Sequence, residues 1–251
     1  MTKFNKSASN NLAIKSGSAY IFSNILINAT SIITAPIFSR LLTTSDYGIV
    51  SNFMAWQSIG LVLIGLGLSY SIGSAKIDFP EEFNQFLASI QTLSSISGLF
   101  FLFSAIIFIE PLSNWMELDK ILVIINFVYL LLIPSVIYTQ EKYKYQFDYK
   151  KNIFISLFNT VGSVVMCLLF ILLFFDKNRY IGRVIGLIFP MSILGIYFYF
   201  NIIKNGWNVN FKKYWNYALK ISIPIIPHTL GMLVLTQLDR LMITKLIGYS
   251  E

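Results

Sequence analysis

The chain has 251 residues, of which 55% are hydrophobic and only 12% are charged, and its formal net charge is +7 at pH 7. Globular domains carry about a quarter of their residues as charged side chains, so this composition excludes a water-soluble domain. Alternation of apolar and polar residues at period two is absent, which disfavours an outer-membrane barrel. The composition indicates an all-α, polytopic membrane protein.

Seven apolar segments, taken in chain order, reach the roughly 20 residues that a helix needs to cross a bilayer. They predict a transmembrane helix bundle of about seven spans. The first segment is too long for the apolar region of a signal peptide, and no small-residue cleavage site follows it. The predicted spans are residues 16–39, 49–72, 85–109, 120–139, 152–175, 182–204 and 221–244.

The first span carries a narrow stripe of polar and small residues. Asn24, Asn28, Ser31 and Ala35 follow one another at spacings of four, three and four, which puts them on one face of a helix. Such a stripe either lines a polar cavity or packs closely against another helix through hydrogen bonds and small side chains. Both interpretations remain open, and the spacing alone favours packing.

The distribution of basic residues predicts the orientation of the chain. With the N-terminus inside, 12 of the 19 bases fall in inside segments and 7 outside, as the positive-inside rule requires. The two longest connections, 140–151 and 205–220, mix bases with Tyr, Phe and Trp, as segments at the headgroup level do. The positive charge therefore indicates the bilayer as partner, with a cytoplasmic N-terminus, and not a nucleic acid.

The seventh span contains the most unusual residues for a membrane helix. Asp239 is the only carboxylate well inside a predicted span, so it can bind a coupling H+ or Na+ or neutralise a nearby base. His228 lies on the same face about 16 Å away along the axis, either as a proton-coupling residue or as a hydrogen-bonded structural histidine. Pro224 and Pro227 predict a kink, which serves as a hinge or only as a packing feature.

A repeated pattern predicts the domain organisation. Residues 245–251 match residues 40–46 class for class at an offset of 205, and Lys15 and Lys220 each open a mostly apolar run of 24 residues. Six spans separate the two copies, so the repeats would be parallel, related by an axis along the membrane normal. The expected units are a cytoplasmic segment 1–15, a six-helix lobe 16–204, an amphipathic linker 205–220 and the truncated first helix of a second lobe, 221–251.

Three stretches resemble the Wzx-type polysaccharide flippases of the multidrug/oligosaccharidyl-lipid/polysaccharide exporter superfamily. They are 40–48, which contains Asp46-Tyr47-Gly48, the end of span two at 65–72, and 238–243 in span seven. The resemblance implies two six-helix lobes around a central cavity, in the bacterial inner membrane. It implies transport of undecaprenyl-diphosphate-linked oligosaccharides for capsule or the O-antigen of lipopolysaccharide, beside other polysaccharide-assembly membrane proteins. The chain departs from the family in lacking a second lobe beyond its first helix.

The resemblance also suggests site residues. A diphosphate crossing hydrocarbon needs cations, because an unpaired charge there is prohibitively costly. The candidates are Arg40, Arg240 and Lys245 at the outer ends of spans one and seven, with Asn24 and Asn28 on the cavity wall. Alternatively, each base lies near enough to a helix end to reach the interface by snorkelling.

No catalytic constellation is visible, so an enzyme is not expected, nor is a metal or a cofactor other than a coupling ion. The chain has one histidine, no Gly-rich phosphate loop, and no predicted connection longer than the 16 residues of 205–220. Two alternatives to a flippase remain. A cation-coupled multidrug exporter would share the fold, although the Asp46-Tyr47-Gly48 loop fits the polysaccharide branch better. A non-transporting membrane scaffold is disfavoured by the restart of the repeat.

Overall fold

A computed structural model describes residues 6–207 and 211–247. Regular structure in these ranges is helical throughout, with ten α-helices and two short 3-10 turns, and seven segments are long and apolar enough to cross a membrane. The predicted all-α bundle of seven spans is confirmed. The helices are α1 (Lys6–Leu41), α2 (Thr44–Ile64), α3 (Ile72–Asp78), α4 (Phe83–Ile107), α5 (Ile109–Met116), α6 (Lys120–Tyr145), α7 (Tyr149–Leu173), α8 (Arg179–Gly206), α9 (Phe211–Ser222) and α10 (Ile226–Ile247).

The long helices run back and forth between two ends of the bundle, here called the α5 end and the α9 end. At the α5 end, Asn52 and Trp56 of α2 donate hydrogen bonds to the Met116 carbonyl oxygen, at 2.7 and 3.1 Å. Helices α4, α6 and α8 pack against one another at the centre. Helix α7 covers α8, α1 packs on α7, and α10 packs on α2, so the helices follow the order α1, α7, α8, α2, α10 around the lobe.

The most extensive helix contact joins α7 and α8, and Gly182 and Gly186 of α8 have the small-residue spacing typical of such a contact. Both glycines are buried, and a Cβ atom at Gly186 would overlap the backbone of Cys167. The Cys167 Sγ donates to the Arg183 carbonyl oxygen at 3.3 Å, and its side chain is fully buried. The lone cysteine is therefore a core residue of this contact.

Helix α1 begins at Lys6 and continues without a break through the polar segment assigned to 1–15, since no glycine or proline interrupts it before Gly17. Its described side chains pack on α7 through a face that includes the buried Ser23 and Phe38. Asn24 and Asn28 are exposed. Neither residue packs against another described helix, so the cavity role and the packing role of the stripe both stay predictions.

The loop between α1 and α2 forms a cap at the start of α2. The Thr43 hydroxyl accepts a hydrogen bond from the Asp46 amide at 3.1 Å, and the Asp46 carboxylate accepts one from the Thr43 amide at 2.9 Å. This capping box satisfies two backbone donors at the start of α2. Asp46 therefore has a structural role in the motif that it shares with the flippases.

Helix α2 ends earlier than predicted. The apolar run continues to residue 72, but the helix stops at Ile64, and Leu66 and Gly67 take left-handed φ values of 51° and 59°. The chain then forms a 3-10 turn at Leu68–Ser71. Leu68 and Ile72 are fully buried in a cluster with Tyr214 and Ala218 of α9. The run is apolar because protein covers it, so hydropathy alone overestimates the length of the span.

Helix α9, the predicted amphipathic linker, is held against the start of α4 by a set of contacts that we call the α9 clamp. Lys213 Nζ lies 2.5 Å from Glu82 Oε2, and the Tyr214 hydroxyl donates to the same oxygen at 2.7 Å. Tyr217 donates to Asp78 at 2.5 Å, and the Trp215 indole donates to the Ser89 carbonyl oxygen at 2.8 Å. These contacts fix α9 to the end of α3 and to the start of α4.

The expected kink in span seven is an interruption of the helix. Helix α9 ends at Ser222, a 3-10 turn at Ile223–Ile225 contains Pro224, and α10 starts at Ile226 with Pro227 in its first turn. A proline at the start of a helix loses no hydrogen bond, because its missing N–H would have had no partner. The function of these prolines as a hinge stays a prediction.

Neutralising Glu82 is expected to loosen the α9 clamp. The bond from Lys213, and then the bond from Tyr214, hold the pKa of the Glu82 carboxyl below its usual value, with desolvation opposing the shift. The stabilisation is therefore present above the ordinary carboxyl pKa and is lost as the pH falls through the lowered one. We expect Glu82→Gln to speed amide hydrogen exchange in residues 211–222 at pH 7, and the difference from the wild type to shrink in acid.

The control for this experiment is Glu81→Gln, which changes the neighbouring exposed carboxylate. Since Glu81 makes no hydrogen bond or ion pair in the described structure, exchange in α9 should match the wild type. Equal exchange in the Glu82 variant and the wild type at pH 7 would show that the bonds of Glu82 do not hold α9 in place.

Candidate functional site

The candidate site lies at the α5 end, where Arg179 and Arg183 of α8 contact the last turn of α1, the turn that contains Arg40. Arg179 Nη1 donates to the Leu41 carbonyl oxygen at 3.0 Å, and the Arg183 guanidinium lies 3.6 Å from the centre of the Phe38 ring. Arg40 itself is exposed in the same turn of α1. We call Arg40, Arg179 and Arg183 the arginine cluster.

The elements that position these side chains are fixed by packing. Arg179 and Arg183 are four residues apart at the start of α8, so they lie on one face of that helix. The contact of Gly186 with Cys167 holds α8 against α7, on which α1 packs. The Phe38 ring is 1% exposed, so the guanidinium of Arg183 stacks on a rigid surface.

The arginine cluster has an excess of positive charge. Arg179 pairs with Asp176 at 3.0 Å, whereas neither Arg40 nor Arg183 has a carboxylate within 4 Å in the described part of the chain. The nearby acids are engaged elsewhere: Asp46 caps α2, and Asp119 accepts a hydrogen bond from Tyr180 at 2.6 Å. Two uncompensated guanidinium groups suit a ligand with two negative charges.

Arg40 also borders a cleft between α1 and α7. The cleft has a volume of about 430 Å³ and is lined by apolar side chains from the two helices apart from Arg40 itself: Pro36, Ile37, Leu41, Leu168 and Leu172. A cation at the edge of an apolar cleft can bind a charged headgroup while the cleft contacts hydrocarbon. The arrangement can bind an amphiphilic anion, and it contains no group placed for covalent chemistry.

The structure places the other predicted residues away from this cluster or leaves them undescribed. His228 is exposed in the first turn of α10, close to the α9 end, beside Thr229, whose hydroxyl lies 3.4 Å from that of Tyr70. The length of a span therefore separates His228 from Arg40. The side chains of Asp239, Arg240 and Lys245 lie outside the described residues, so their roles stay predictions.

Several uncharged polar side chains lie within the bundle. Gln57 Nε2, Asn126 Oδ1 and Asn159 Oδ1 are buried, and none has a hydrogen-bond partner in the described structure. These polar groups therefore face protein within the bundle, as does the fully buried Gln91. Among the described residues no group of three His, Cys, Asp or Glu side chains is arranged to hold a metal ion.

Sequence reasoning missed Arg179 and Arg183 as site residues, because both count simply as bases outside the membrane. Their spacing of four at the start of a span was the available signal. Their meeting with the end of α1 depends on contacts across 138 residues, which no local pattern contains.

Comparison with known proteins gives one match that covers nearly the whole chain. A family model described as "Polysaccharide biosynthesis protein" matches residues 13–251, a range that includes every predicted span. No curated protein and no solved structure matches the chain.

Proposed function

Because the chain belongs to the polysaccharide biosynthesis protein family, we propose that it forms part of a flippase for undecaprenyl-diphosphate-linked oligosaccharides in the bacterial inner membrane. At the family level the chain is a multi-pass membrane protein of polysaccharide transport, in agreement with the resemblance of its motifs. We propose three further properties: the lipid-linked substrate, the location in the inner membrane and the cytoplasmic N-terminus.

The arginine cluster is the observation that carries the proposal. A lipid-linked diphosphate presents two adjacent negative charges, and leaving them unpaired in hydrocarbon is prohibitively costly. Arg40 and Arg183 provide two cations without carboxylate partners, and guanidinium groups bind phosphate oxygens in pairs. Exposed Asn24 and Asn28 on α1 offer hydrogen bonds to sugar hydroxyls along the same helix.

The distribution of charge supports a cytoplasmic α9 end. Lys142, Lys144, Lys150 and Lys151 flank the turn between α6 and α7 there, and α9 adds further lysines. By the positive-inside rule this end faces the cytoplasm, so the arginine cluster lies toward the outer leaflet. In this proposal residues 16–204 form one lobe, 205–220 the linker, and 221–251 the first helix of a second lobe.

Transport by reconstituted protein tests the proposal. The chain is inserted into vesicles with a fluorescent undecaprenyl-diphosphate oligosaccharide, and the appearance of the sugar in the opposite leaflet is followed by lectin binding. We expect faster appearance than in empty vesicles, and no acceleration for a neutral glycolipid with the same tail. Movement of an organic cation instead would favour a multidrug exporter, and movement of neither substrate would favour a scaffold.

A further inference from the structure

A second basic site lies at the α9 end, on the opposite side of the membrane from the arginine cluster. It is a small pocket between the start of α4 and the ends of α6 and α8, with a volume of about 30 Å³. We call it the Lys142 pocket. Its lining is mostly polar: Asn84, Leu87, Thr139, Lys142, Tyr143, Asn201, Ile202 and Asn205.

The side chains of the pocket are already ordered. Lys142 Nζ donates to Asn84 Oδ1 at 2.9 Å, and Asn205 Nδ2 donates to the Asn201 carbonyl oxygen at 2.8 Å. Lys142 is half-buried, and no carboxylate lies within 4 Å of its ammonium group in the described part of the chain. It therefore keeps N–H donors available without an anion to receive them.

The charges around Lys142 are unbalanced. Three carboxylates near this end pair with their own lysines: Glu82 with Lys213, Asp148 with Lys151 at 2.7 Å, and Glu141 with Lys144 at 3.3 Å. Asp78 accepts from Tyr217 instead, Glu81 is exposed, and neither forms an ion pair with Lys142 in the described part of the chain.

Other features of the site add to the positive potential. Lys76 and Lys151 lie close enough to Lys142 to repel its charge. A half-buried ammonium group among other positive charges is unfavourable unless an anion joins it.

We propose that the Lys142 pocket binds the phosphate group of an anionic membrane phospholipid. The Lys142 ammonium and the amide groups of Asn84 and Asn201 supply the hydrogen-bond donors, since Asn205 Nδ2 already donates to both oxygens of Asn201. A volume of about 30 Å³ holds one or two water-sized groups, which admits phosphate oxygens and excludes a sugar ring.

The position of the pocket fits a lipid. Two exposed aromatic residues lie at this end, as is typical of the headgroup level: Tyr145 is the last residue of α6, and Trp207 directly follows α8. Basic pockets between transmembrane helices are a known way of holding anionic headgroups. The site does not depend on the proposed transport, because it lies at the other end of the lobe from the arginine cluster.

Thermal unfolding of the purified full chain in a neutral detergent tests the proposal. Phosphatidylglycerol, phosphatidylcholine and inorganic phosphate are added in separate titrations. We expect phosphatidylglycerol to raise the Tm and the other two to leave it unchanged at equal phosphate concentration. An equal shift of the Tm with phosphatidylcholine would overturn the proposal. An equal shift with inorganic phosphate would show that the pocket binds a free anion and not a lipid.

Two variants separate the pocket from general surface charge. Lys142→Gln keeps a donor toward Asn84 but removes the charge, and we expect about tenfold weaker binding of phosphatidylglycerol. Asn84→Asp keeps the side-chain size and supplies an internal counter-charge to Lys142. We expect it to raise the Tm without lipid and to abolish the response to phosphatidylglycerol.

The matched control is Lys144→Gln on the same helix, because Lys144 is exposed and paired with Glu141. Its response to phosphatidylglycerol should equal that of the wild type. A wild-type response in the Lys142 or the Asn84 variant would overturn the site, whichever of the two variants folds well enough to be measured.

Discussion

Replacing Gly186 with leucine is expected to separate α7 from α8 and to lower the free energy of unfolding by about 3 kcal/mol or more. A Cβ atom at this position would overlap the backbone nitrogen and Cα of Cys167, and a backbone cannot rotate away as a side chain can. Thermal unfolding followed by circular dichroism measures the loss. Gly182→Ala should cost less, since its Cβ would lie 3.1–3.2 Å from Ile171.

Gly231→Leu is the control for this prediction. It makes the same change within helix α10, where a Cβ atom has nothing within 4 Å. Leucine is a better helix former than glycine, so this variant should be as stable as the wild type or slightly more so. If the Gly186 and Gly231 variants unfolded at the same temperature, the result would contradict a close contact between α7 and α8 at Gly186.

Removing the charge of Arg183 is expected to reduce the transport of the lipid-linked oligosaccharide by roughly ten- to a hundredfold. A hydrogen bond to a charged group contributes about 1.5–3 kcal/mol, and each 1.4 kcal/mol is a factor of ten. Arg183→Gln removes that contribution, and Arg183→Lys keeps the charge but loses the planar fork that stacks on Phe38. The expected order of rates is wild type, then lysine, then glutamine. Arg40→Gln should reduce transport in the same direction.

Lys177→Gln provides the control, because Lys177 is an exposed base at the same end of the lobe without a described partner. Its rate in the vesicle assay should equal that of the wild type. Each variant is also checked for its Tm, since Arg183 ties α8 to α1 as well as carrying charge. A glutamine variant that transports at the wild-type rate would leave Arg183 with the structural role alone.

The number and order of the spans follow from the sequence, because length and apolarity together decide whether a helix can cross a bilayer. The end of α2 does not follow. Residues 65–72 are as apolar as a span, but α9 covers them, and hydropathy cannot distinguish burial by protein from burial by lipid. The interruption at Pro224 was predictable, since proline restricts the backbone wherever it stands.

The arginine cluster and the Lys142 pocket show why sites are harder to predict than spans. Arg183 and Lys142 count in the sequence as bases near helix ends, which orient a membrane protein without further function. Their significance comes from neighbours on other helices: Phe38 for Arg183 and Asn84 for Lys142. Both bases also lack a carboxylate partner among the described residues, because most of the nearby acids bind other groups. Such pairing depends on the folded structure, and no local sequence pattern contains it.

The α9 clamp sets an order of events during synthesis of the chain. Glu82 and Lys213 are 131 residues apart, so at about 5–20 residues per second roughly 7–26 s pass between their synthesis. Throughout that interval Phe79 and Phe86 lack the aromatic partners that Tyr214 and Tyr217 later provide. The six spans of the lobe are therefore synthesised before α9, which later packs on them. Until α9 is made, the nascent chain exposes the aromatic side chains of Phe79 and Phe86 to the insertion machinery.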